Sequence, residues 1–94
     1  MKSDYIIQWS NEAENQLNDK ADYIAAQSDH NVAVKFYENI KATTEKLSFM
    51  AGAYNDGKFH KMPVSKEPKP HSVRFIVVGD FVLISEFLPA GSNR

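Results

Sequence analysis

The chain contains no cysteine. Disulfides, thiol nucleophiles, iron–sulfur clusters and cysteine-type zinc sites are excluded with it, and a reducing cytoplasm is the expected setting. No run of about 18 apolar residues occurs, so no transmembrane helix is expected. The opening MKSDYIIQWS has no cleavage-site pattern, which argues against a signal peptide. No glycine-rich loop precedes a helix and no serine sits in GxSxG, so nucleotide-binding and serine-hydrolase readings find no support. Histidine is scarce, at His30, His60 and His71, and neither HxxxH nor HExxH spacing is present. No metal and no cofactor are therefore expected. Repeats and low-complexity tracts are absent, and 94 residues make one domain spanning 1–94.

Charge is present in both signs but unevenly placed. Residues 1–50 carry five lysines against eight acids, whereas residues 51–75 carry Lys58, Lys61, Lys66, Lys69 and Arg74 against Asp56 and Glu67. An acidic first half thus meets a basic connector, a pattern that suits either an anionic partner or a solvated loop.

The strongest local signal is VRFIVVGDFVLISEF, residues 73–87. Two runs of β-branched and aromatic residues flank Gly79-Asp80, and glycine in the first of two loop positions suits a type II′ hairpin turn. A two-residue loop sets Val78 against Phe81, Val77 against Val82, Ile76 against Leu83, Phe75 against Ile84 and Arg74 against Ser85. Both resulting faces are apolar near the turn, so the hairpin is expected mid-sheet or covered on both sides, with Glu86 sharing the face of Phe75 and Val77.

Earlier in the chain, Asp4–Trp9 reads as a strand. Ser10 or Asn11 caps a helix, with Asn11 and Glu14 at capping-box spacing, and Ala13, Leu17, Ala21 and Ile24 form its apolar stripe up to Gln27. After the turn Ser28–Asn31, a second helix carries Ala33, Phe36, Tyr37, Ile40, Thr44 and Leu47 on one face and stops near Gly52. The acids Glu12, Glu14, Asp19, Asp22, Glu38 and Glu45 fall on solvated helix faces. The connector, residues 51–72, holds three of the four prolines; within it Lys58–Val64 is expected as at most an edge strand ending at Pro63. The order β-α-α-loop-β-β gives an α+β fold, a small antiparallel or mixed sheet against an antiparallel helical hairpin.

Candidate functional side chains follow from charge and position. Arg74 stands at the wet end of the hairpin, suited either to a phosphate or acidic partner or to an ion pair with Glu86 or Glu67. His71, three residues earlier, offers an imidazole beside that guanidinium, with Lys69 adjacent; the alternative is an exposed loop histidine. Lys58, Lys61 and His60 extend the basic surface. Trp9 and Tyr5 read most simply as core or sheet-edge residues.

Three stretches in order resemble the RelE/ParE superfamily of bacterial type II toxin–antitoxin toxins. YIIQWSNEAENQLNDKADYIAAQS is similar to its strand, W-S pair and E-A-x-x-x-L helix. AVKFYENIKATTEKL resembles its second helix, and VRFIVVGDFVLISEF resembles its strand pair around V-G-D-Y. The resemblance implies a small curved antiparallel sheet on a helical hairpin and a cytoplasmic toxin held by a cognate antitoxin. In the messenger-RNA-cleaving branch, arginines of the central strands cut transcripts on the ribosome; here Val77 and Val82 stand in the hairpin. The ParE-like branch, which poisons DNA gyrase by binding it, therefore fits better. The alternatives are a ribosome-dependent endoribonuclease using His71, Arg74 and Lys69, and a non-toxic member that still binds an antitoxin. The resemblance implies target contacts at Arg74, Lys58, Lys61 and His60, and antitoxin contacts at Tyr5, Trp9, Phe81 and Leu83. Members commonly add a strand after the hairpin. None is expected here, which would leave Asp4–Trp9 and Phe81–Phe87 as open edges inviting an antitoxin or a second copy as homodimer.

Overall fold

A computed structural model describes residues 4–65 and 70–90. Strand β1 (Ile6–Trp9) leads through Ser10 into helix α1 (Asn11–Gln27). Ser10 is the cap: its Oγ accepts the Ala13 N–H at 3.0 Å and donates to the Ser85 carbonyl, also at 3.0 Å. Asn11 is already helical, so the expected Asn11–Glu14 capping box does not form. Asp29 caps helix α2 (His30–Thr44) by accepting the Val32 N–H. The helix ends eight residues short of Gly52. Thr44, fully buried, donates its hydroxyl back to the Ile40 carbonyl, a side-chain bond that competes with helical continuation. After a turn the chain makes a short helix α3 (Leu47–Met50) and a 3₁₀ turn (Ala51–Tyr54).

The connector is less irregular than its prolines suggest. It contains edge strand β2 (His60–Pro63), with Pro63 as its last residue, where a missing N–H matters least. Strands β3 (Ser72–Val78) and β4 (Phe81–Leu88) form the hairpin. Gly79 takes φ 59° while Asp80 keeps a negative φ, which is the II′ pattern. Lys69, Lys66 and Glu67 lie outside the described residues.

The four strands order as β1-β4-β3-β2, with β1 parallel to β4 and the other neighbours antiparallel. The sheet is therefore mixed, and β4 is interior. The expectation of an open edge at Phe81–Phe87 is overturned because β1, returning from the far end of the sequence, pairs along it; the edges are β1 and β2. The register matches from Val78–Phe81 to Phe75–Ile84, then shifts by one, so Arg74 faces Glu86 and Val73 faces Phe87. This bulge at Ser85 moves Phe87 onto the core face and Glu86 onto the other. Without it a carboxylate would lie against Val73, which is fully buried, at a desolvation cost of several kcal/mol.

The helices cover one face of the sheet. Ala13 and Leu17 of α1, Ile40 of α2 and Leu47 meet Val73, Phe75, Val77, Val82, Ile84 and Phe87 there. The Phe87 N–H donates to Gln16 Oε1 at 2.7 Å, fastening β4 to α1 beside the bulge. Among the described residues the opposite face carries no helix, so of the two settings expected for the hairpin the mid-sheet one is realised and cover on both sides is not.

Candidate functional site

That open face is the main feature the fold leaves to solvent. Alternation along each strand places Ile6 and Gln8 of β1, Phe81 and Leu83 of β4, and Arg74, Ile76 and Val78 of β3 on it. Pairing then arranges them in three cross-strand rows. Ile6, Phe81 and Val78 make the first. Gln8, Leu83 and Ile76 make the second, and extending the β2–β3 register by one residue sets Phe59, just before β2, on the side of Ile76. Glu86, Arg74 and Lys61 make the third. Ile6, Val78, Phe81 and Leu83 are 54%, 56%, 40% and 36% exposed. A contiguous apolar surface next to a row of charges is the usual composition of a recognition site.

In the charged row, Arg74 Nη1 donates to Glu86 Oε2 at 2.9 Å. The ion-pair alternative for Arg74 is thus realised, yet its side chain keeps 37% of its surface exposed, enough for a second ligand. Arg74, Glu86, Ser85, Phe59 and Glu12 line a shallow recess of about 320 Å³.

The sequence-derived candidates do not all meet. His71 sits on the helical side, its ring edge-on to Phe36 at 5.2 Å and tilted over Phe87 at 5.6 Å. Its Nδ1 accepts the Ala90 N–H at 2.8 Å, leaving the ring proton on Nε2. Burial, followed by the charge of Lys20, pushes its pKa down, so the ring is a neutral structural piece near neutral pH. His71 and Arg74 are not brought together. His60 also points inward, against Tyr54 and Phe75, and its Nε2 meets Asp56 Oδ1 at 2.9 Å. Lys58 and Lys61 are both exposed, and pairing with Arg74 places Lys61 on the open face. Phe81 and Leu83 lie on that face, whereas Tyr5 and Trp9 are half-buried on the helical side.

One cluster was missed from sequence. Glu14, expected on a solvated face, accepts from Tyr37 Oη and pairs with Lys41 Nζ at 2.7 Å. Lys41 also sits over the Trp9 ring at 4.7 Å. Burial pushes the Glu14 carboxyl up, but the bonds from Lys41 and Tyr37 outweigh it and hold the pKa below the ordinary carboxylate value. Burial pushes Lys41 down, but its bonds with Glu14 and Tyr37 outweigh that and raise its pKa. This cluster joins α1, α2 and β1. Spacing along one helix cannot reveal it, because its members come from three elements. Among the described residues no group of His, Asp and Glu could hold a metal ion, and no helix is long and apolar enough to cross a membrane.

The family model described as "ParE toxin of type II toxin-antitoxin system, parDE" matches residues 7–92. Among solved structures, a chain of the "Chromosomal ParDE TA system from P. aeruginosa" superposes with a TM-score of 0.74. The match covers 92% of this chain and 96% of that one at 18% identity, a likeness of fold. No curated protein matches.

Proposed function

The chain belongs to the ParE toxin family of type II toxin–antitoxin systems, and we propose on that premise that it arrests growth by binding DNA gyrase and is silenced by a cognate antitoxin. The observation that carries this reading is the open sheet face, with apolar rows for protein contact and a charged row built on Arg74 and Lys61. General acid–base chemistry needs a proton-transfer group within hydrogen-bond reach of the reacting atoms. His71, the nearest candidate in sequence, faces the helices instead, and Val77 and Val82 are buried. These placements favour gyrase binding over transcript cleavage.

The antitoxin covers the apolar rows. An amphipathic segment laid over Phe81 and Leu83, with strand addition along the outer edge of β1, uses the two modes such a surface offers. Tyr5 and Trp9 contribute only at the rim of that edge. The target meets the charged flank of Arg74, Lys61 and Lys58, while His60 acts from beneath. Both encounters take place in the bacterial cytoplasm.

The test is induction of the chain alone in bacteria, scoring growth, gyrase-linked DNA cleavage and transcript integrity. Arrest with gyrase-linked cleavage and intact transcripts is expected. Cut transcripts with unaffected gyrase would overturn the reading in favour of a ribonuclease. Normal growth would overturn it in favour of a non-toxic antitoxin-binding member.

A further inference from the structure

Phe59 is 58% exposed, and the chain around it is braced. Gly57 takes φ 78°, a conformation that glycine adopts without strain, to turn the chain from the 3₁₀ turn toward β2. Asp56 Oδ1 accepts the Lys58 N–H at 3.0 Å and meets His60 Nε2 at 2.9 Å. The His60 ring packs against Tyr54 at 5.1 Å and Phe75 at 5.8 Å. With His60 anchored inward, strand alternation commits Phe59 and Lys61 to the open face. A large ring on a braced backbone loses little conformational freedom when a partner buries it, which is the usual make-up of an interface hot spot.

We propose that Phe59 is the anchor by which this chain grips its protein target, its ring entering an apolar pocket of gyrase whose rim is acidic and meets Lys58 and Lys61. The inference rests on the gyrase reading and adds the residue and the partner's chemistry. A protein is favoured over DNA on two grounds. The recess beside the ring carries both signs, Arg74 with Glu12 and Glu86, so a uniformly anionic backbone suits it less well than a protein rim whose acids are confined to the side of Lys58 and Lys61. A phenyl ring also finds no pocket in duplex DNA unless base steps unstack, at a few kcal/mol each.

The test compares the full chain with Phe59→Ala for binding to purified gyrase without DNA, and to a DNA duplex without gyrase. Because the ring is exposed, the variant should keep the wild-type Tm while its gyrase Kd rises about tenfold or more. Wild-type affinity in the variant overturns the inference and leaves the gyrase reading standing. A wild-type chain with no affinity for gyrase overturns both. Loss of duplex affinity with gyrase affinity retained overturns it in favour of a nucleic-acid contact.

Discussion

Arg74 is both an ion-pair member and the candidate target contact, and the two roles separate by magnitude. A pair exposed to this extent is worth about 0.2–1 kcal/mol, so Arg74→Ala should fold with nearly unchanged stability while growth arrest is lost. An Arg74→Ala chain as toxic as wild type would remove Arg74 from the target contact. Glu14 behaves in the opposite way, as a structural residue with no claim on the target. Its folded pKa is depressed, so its contribution is present above the unfolded value, about 4.5, and disappears as pH falls through the folded value. Glu14→Gln should cost about 1 kcal/mol at pH 7 and progressively less below about pH 4.5, read as the difference in urea midpoints. A pH-independent difference would show that packing, not charge, holds Glu14. The Arg74–Glu86 ion pair was one of two alternatives open in the sequence, although the expected register set Ser85 opposite Arg74 and only the bulge brings Glu86 there. The role of Glu14 was not visible there, because its partners lie 23 and 27 residues away.

At the scale of elements, local signals served best where one segment determines its own geometry. The II′ turn at Gly79, the first four pairs of the hairpin and the two helices follow from glycine tolerance, alternation and helical spacing. The errors lie where distant segments meet. The Ser85 bulge exchanges Glu86 for Phe87 on the core face, and only burial against α1 gives that exchange its value. Ser10 marks the junction, since its hydroxyl both caps α1 and donates to the bulged strand at the Ser85 carbonyl. Ser10→Ala removes both interactions and should cost about 2 kcal/mol, roughly 1 for the cap and 1 for the second bond. Chemical denaturation of the two proteins measures it, and a loss under about 0.5 kcal/mol would mean that water replaces both partners. Ser10→Asp, able to cap but not to donate, should recover about half.

At the scale of the molecule, the parallel pairing of β1 with β4 decides where function can reside. It places the hairpin mid-sheet and gives its second apolar face a neighbour in Ile6. With both helices on the other side, that face is left for partners. Its exposure explains why a hairpin apolar on both sides need not be covered within its own chain. Under the proposed function, the antitoxin supplies that cover. Phe81→Lys combined with Leu83→Lys tests this arrangement, since both side chains already point to solvent and the double variant should fold. Co-expressed with the cognate antitoxin, the double variant should go on arresting growth because its inhibitor no longer seats, with affinity weakened about tenfold or more. Neutralisation equal to wild type would move the antitoxin off the sheet. Another apolar recess is the groove of about 330 Å³ between α1 and α2, lined in part by Ala21, Ala25, Ala33 and Val34. Val34→Lys would then be the variant that escapes neutralisation, so paired assays of the two substitutions assign the inhibitor to one side of the molecule or the other.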